Sequence, residues 1–189
     1  MPGSGRADWA GASGGSILGK MKVRESGDMG KCMGCGFEGE HSGPLHAYMS
    51  FSPACWARYG EILAREFSDQ DYFTGHRLLV DACCGQHSIG PDRRARQSLN
   101  IHLAALMLHF EDHASKSDIV AFLSNAARIK EFDGLETPPA STQVSMDAIY
   151  AATNAREHNE AVAEYAQQVY GAWEPHFPVF RALIERVTG

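Results

Sequence analysis

Cys32-Met33-Gly34-Cys35-Gly36 sets two thiols three positions apart, among glycines that let a backbone wrap an ion as a knuckle. Zinc takes soft thiolates and imidazoles in a tetrahedron at about 2.0–2.3 Å. The chain just downstream offers more of both in His41, His46 and Cys55. The metal set expected from this spacing is Cys32, Cys35, His46 and Cys55, with His41 a weaker choice and zinc the expected cofactor. Cys55 falls in the first turn of a helix that Ser52 caps and Pro53 opens, where the positive helix end favours a thiolate. Two other readings compete. Thioredoxin-type redox chemistry wants the pair at a helix start in a βαβ context, which the flanking sequence lacks. Two ordinary cysteines without metal would leave a glycine-rich module with few apolar residues to hold itself together. A structural zinc contributes on the order of 10 kcal/mol to folding, against a net domain stability of roughly 5–15 kcal/mol.

Nine histidines supply a second set of candidates. At about 100° per residue, Cys83 and His87 each fall within roughly 20° of His76 on one helix, and His102, His109 and His113 repeat the offsets on the next. If the short connection 88–92 makes these helices antiparallel neighbours, His87 comes near His102, and His76 lies towards His109 and His113. The functional reading is a second metal site or a general acid/base pocket carried by His76, His87 and His102. Asp81, off that stripe, would orient an imidazole from another element. The plainer reading is a helical core with satisfied histidines, and for any one histidine it is the better one. His113, beside Asp112, reads as a charge at a helix end. Cys83 and Cys84 point about 100° apart on a helix and do not chelate one ion together.

These groups need elements to position them. Residues 1–28, rich in Gly and Ser without hydrophobic period, read as a flexible tail. Residues 29–189 read as a single helical domain whose metal-binding module covers about 31–56. Helical spacing of Trp56, Tyr59, Ile62, Leu63 and Phe67 follows Ser52-Pro53. A second helix is expected over 70–86 with Asp69 as cap, and a third, strongly apolar one over 93–112. A fourth begins at Ser115 or Ser117, residues 131–144 form a loop, a long helix runs over 145–173, and a last one covers 175–187. The fold class is all-α, a bundle of about six helices with a small N-terminal zinc-knuckle module.

The order of motifs resembles that of an uncharacterised bacterial family of unknown function: Cys32-Met-Gly-Cys-Gly, His46-Ala-Tyr-Met, Ser52-Pro-Ala-Cys55-Trp56, His76-Arg-Leu-Leu-Val-Asp81, Gln86-His87, Gln97-Ser98 and His102-Leu103, then Val169-Tyr-Gly-Ala-Trp173-Glu-Pro-His176. The likeness covers about residues 31–187. It implies recurring positions at Cys32, Cys35, His46, Cys55, His76, Asp81, His87 and His102, and it brings no activity with it. Cys83-Cys84-Gly85 and the lack of a proline after His87 depart from the pattern, which puts a pocket role for Cys83 in doubt.

Composition narrows the classes further. A formal charge of −6 disfavours wholesale binding of phosphate backbones; Arg93, Arg94 and Arg96 make a local basic cluster that reads as a solvated patch. No run of about 18 apolar residues suggests a membrane span, and no apolar leader core opens the chain. A reducing, cytoplasmic location is the default, in which five cysteines serve as ligands or core residues rather than disulfides. Two functions remain: a zinc-binding helical protein whose metal joins the module to the body, or a metal-dependent enzyme acting on a small molecule at the histidines. No HExxH, phosphate-cradling loop or nucleophile elbow is present. Expected partners are a possible small-molecule ligand, no nucleic acid and no membrane, with oligomeric state left open.

Overall fold

In the computed structural model, residues 29–88, 90–135 and 145–189 are described. The expected N-terminal tail and most of the 131–144 loop lie outside them. The described chain is mostly helical, with one two-stranded antiparallel ladder, β1 (Met29–Lys31) against β2 (Glu38–Glu40), that carries the cysteine knuckle in its turn. The helices are α1 (Pro53–Ser68), α2 (Gln70–Phe73), α3 (His76–His87), α4 (Arg93–Phe110), α5 (Lys116–Ala126), α6 (Met146–Ala151), α7 (Ala155–Ala172) and α8 (Phe177–Thr188), with a 3₁₀ turn at Glu174–His176.

Two of the expected long helices are each divided, so the described residues hold eight helices where about six were expected. The 70–86 stretch breaks at Thr74-Gly75, and His76 becomes the first residue of a new helix. There the Gly75 amide donates to Asn159 Oδ1 of α7 at 2.8 Å, and a Cβ at Gly75 would crowd that oxygen at 2.7 Å, so a larger residue would have to displace the Asn159 side chain. The 145–173 stretch breaks after Ala151, and Asn154 caps α7 by accepting from the Glu157 amide. That cap satisfies a free N–H at the new helix start, and Asn suits it better than the helix interior.

Central α4 has a nearly unbroken buried run from Leu99 to Leu108, interrupted at His102. It packs against α3 on one side and α8 on another, while α7 closes over α3. The core joins Leu79, Ala82, Cys83, Leu103, Leu106, Val162, Tyr165, Trp173 and Phe180. Burial of such aliphatic and aromatic side chains, each worth roughly 1.5–3 kcal/mol, holds this body together, and Cys32, Phe51 and Cys55 join the same cluster. No helix among the described residues is long and apolar enough to cross a membrane.

Candidate metal centre

Four donors meet at one point. Cys32 and Cys35 come from the knuckle, Cys55 from the first turn of α1, and His87 from the last turn of α3; their ligand atoms all lie within 4.8 Å of one another. Cys35 Sγ stands 3.6 Å from Cys55 Sγ, and Cys55 Sγ stands 3.6 Å from His87 Nε2. A tetrahedral zinc with ordinary bond lengths has S···S edges of about 3.8 Å and S···N edges of about 3.6 Å. Both distances therefore match the edges of such a site. Cys32, Cys55 and His87 are buried and Cys35 is partly exposed.

Local structure explains how each donor is aimed. In the knuckle the Gly36 amide donates to the Cys32 carbonyl at 2.8 Å and the Cys32 amide to the Phe37 carbonyl at 2.7 Å. Gly36 takes φ +75° to close that turn, a conformation that favours glycine. Gly34 lies directly against the histidine: a Cβ there would be 2.5 Å from His87 Cδ2. The Ser52 hydroxyl caps α1 by accepting from the Cys55 amide at 3.2 Å, and the Ser52 amide donates to Cys32 Sγ at 3.3 Å. On α3, His87 Nδ1 sits 3.0 Å from the Cys83 carbonyl. A carbonyl only accepts, so Nδ1 carries the proton and Nε2 keeps its lone pair for the sulfur cluster. Phe51 stacks on the imidazole at 3.8 Å and 7°, and the Ser50 amide and hydroxyl both donate to the His87 carbonyl, at 2.7 and 2.9 Å.

The electrostatics are those of donors crowded together without compensation. Hydrogen bonding from the Cys35 and Cys55 thiols pushes the Cys32 thiol far down, against the opposing effect of burial. The same contact with Cys32, together with burial, pushes Cys35 up to about 12 and Cys55 upward as well. One thiolate therefore excludes its neighbours' ionisation unless a cation joins them. All five cysteines are free, with no disulfide among the described residues.

His46, the fourth donor expected from spacing, stands outside this group. Its Nδ1 accepts from the Met49 amide at 3.1 Å and its ring packs edge-on against Tyr48 and Trp56. The loop after His46 turns back on the ring and occupies the nitrogen, while α3 delivers His87 instead. His41 likewise lies apart, against Gly30.

The remaining histidine candidates do not form one pocket. His76 Nδ1 lies 2.7 Å from Glu66 Oε2, and the other oxygen of Glu66 lies 3.0 Å from His158 Nε2. Glu66 and His158 are fully buried, so α1, α3 and α7 are tied by one carboxylate. His102 Nδ1 lies 2.6 Å from Asp81 Oδ1, and Arg77 grips both oxygens of Asp81, at 2.5 and 2.9 Å. Asp81 thus orients an imidazole from the neighbouring helix. His76, His87 and His102 end in three separate groups because His76 and His87 stand at opposite ends of α3, about 16 Å apart at 1.5 Å per residue, while His102 turns to Asp81. Cys83 is buried beside Tyr165, and burial pushes its thiol well up.

Sequence reasoning missed Glu66 and His158. A signal was available: Cys55, Tyr59, Ile62 and Glu66 follow one another by 4, 3 and 4 positions along the buried face of α1, so the apolar stripe ends on a carboxylate that must find a partner.

The fold and the site define a mostly helical protein with a Cys₃His group able to hold a metal ion. Its sequence places it more narrowly: residues 30–174 match the model of a family of unknown function, DUF5946, and the chain belongs to that family. Neither the curated proteins nor the solved structures contain a match to it.

Proposed function

We propose that the chain is a zinc-binding helical protein in which one Zn²⁺, held by Cys32, Cys35, Cys55 and His87, fastens the N-terminal module to the helical body. The observation that carries this reading is the meeting of four soft or borderline donors from three separate segments at tetrahedral edge lengths. Three thiolates and a neutral imidazole suit zinc better than the hard oxygen-seeking cations. Four protein ligands leave no position for water or substrate, which favours a structural over a catalytic role. A reducing compartment such as the cytoplasm fits a centre built on free thiols. The reading of a metal-dependent enzyme at a histidine cluster loses support from the separation of His76, His87 and His102.

Metal analysis of the purified protein tests the proposal. One equivalent of zinc is expected in wild type and in His46→Ala, and none in Cys32→Ser/Cys35→Ser. Zinc retained at one equivalent in the double cysteine variant would overturn it. So would wild-type protein purified under reducing conditions that is folded, metal-free and unable to take up zinc.

A further inference from the structure

A cavity of about 380 Å³ opens between α3, α4, α5 and the loop of the N-terminal module. It lies within the size range of small-molecule sites. Its character runs against that of the chain, whose formal charge is −6. Arg77, Arg94 and His102 line it, and none of the lining residues is acidic. Asp81 holds Arg77 and His102 from behind but is itself buried, 2% exposed. It cancels one positive charge and fixes the orientation of both groups, leaving Arg94 as an unbalanced cation at the mouth. Arg94 is exposed and makes no ion pair among the described residues. Arg77 uses Nε and Nη2 on Asp81, and its Nη1 remains for another acceptor.

Polar and apolar groups divide the rest of the wall. Tyr48, Gln97 and Ser98 offer hydrogen-bonding groups, while Ile101, Leu123 and Ala127 give an apolar side. The Ser98 hydroxyl accepts from Ser88 at 2.8 Å, so its own proton is free to point elsewhere. Guanidinium groups recognise carboxylates and phosphates through their planar forks, and preorganisation by a buried carboxylate lowers the cost of ordering them on binding.

From this arrangement we infer that the cavity is a binding site for a small organic oxyanion, a carboxylate or phosphate monoester carrying a compact apolar group. The oxyanion sits among Arg77, Arg94 and His102, and the apolar group lies on Ile101 and Leu123. The inference does not rest on the metal: no lining residue is one of the four donors.

Calorimetric titration of the metal-replete protein with phenyl phosphate, benzoate, inorganic phosphate and neutral benzyl alcohol tests it. At least one of the two organic anions is expected to bind saturably and to weaken at least tenfold in Arg94→Glu, while Arg156→Glu, a charge reversal remote in sequence on α7, binds as wild type. Arg94 is exposed and unpaired, so its replacement leaves the circular dichroism and melting temperature unchanged and a loss of binding is not a loss of fold. Phenyl phosphate binding more tightly than benzoate identifies a phosphate site, and the reverse a carboxylate site. The inference fails if neither organic anion binds, if Arg94→Glu binds as tightly as wild type, or if inorganic phosphate or benzyl alcohol binds as well as the organic anions.

Discussion

His87 owes its place in the metal centre to a proton on the far side of its ring. With Nδ1 donating to the Cys83 carbonyl at 3.0 Å, the tautomer that presents Nε2 to the sulfurs is fixed before any ion arrives. Replacing His87 with Ala should therefore lower zinc affinity by at least tenfold, measured by competition with a chromophoric chelator. His46→Ala, which removes an acceptor for two loop amides and ring contacts with Tyr48 and Trp56 but none of the four donors, should leave it within about threefold; equal losses in the two would sink the assignment of His87. The residue scale also contains a pH effect. Burial disfavours the His102 cation, but the Cys84 sulfur and Asp81 outweigh it and raise its pKa to about 10 from an ordinary 6.5. A raised folded pKa stabilises the native state fully below about 6.5 and loses that stabilisation as pH climbs through about 10. The groups facing His102 are Asp81, Arg77 and Cys84. The stability gap between wild type and His102→Gln should shrink between pH 6.5 and 10 in urea melts, and a gap independent of pH would show that His102 is not charged in the fold.

At the scale of elements, Glu66 is the joint of the helical body. One carboxylate, buried on all sides, takes His76 from α3 and His158 from α7 while riding on α1. Removing one member of a buried charged or hydrogen-bonded set costs about 3–5 kcal/mol, because the partners keep their desolvation penalty. Glu66→Ala should lose that much in chemical denaturation, more than the loss for an exposed pair such as Arg156–Glu160, which is worth about 0.3–0.5 kcal/mol. A loss under about 1 kcal/mol would show the joint to be dispensable. The helices themselves were legible: Ser52, Asp69 and Ser115 all cap where they were expected to, because capping is local chemistry. The break at Thr74-Gly75 was not, since the Asn159 side chain that takes the Gly75 amide comes from α7, 84 positions away, and nothing near Gly75 announces it; the second break carries a local signal, the Asn154 cap. The knuckle cysteines and Cys55 were readable from short spacings and a helix start. His87 was visible as a candidate, but its partners lie 32 or more positions away, and only packing decides whether the cysteines meet His87 or the nearer His46.

For the molecule as a whole, the two parts depend on different forces. The helical body closes on its own apolar core through α3, α4, α7 and α8, whereas the module from β1 to Ser52 has few buried side chains of its own: Cys32 and Phe51 are its buried apolar residues. Its attachment includes the proposed metal, the Ser50 bonds to the His87 carbonyl and the Phe51–His87 stack, which converge on one residue, together with ring contacts of His46 and Phe51 on Trp56 and Tyr59 of α1. Hydrogen bonds contribute about 0.5–1.5 kcal/mol each, and an aromatic stack about as much beyond its area. Neither approaches the contribution of a structural zinc, on the order of 10 kcal/mol. Chelation under reducing conditions should therefore release the module while leaving the body folded. Hydrogen exchange followed by mass spectrometry should show faster exchange over residues 30–56 and at the end of α3. Exchange in α4 and α7 should stay slow, and most of the helical circular dichroism should persist. Readdition of zinc should restore protection, since the body keeps His87 and the start of α1 in place. Unchanged exchange in the module after complete metal removal would mean that packing alone holds it; loss of protection throughout α4 would mean that the body, too, depends on the ion.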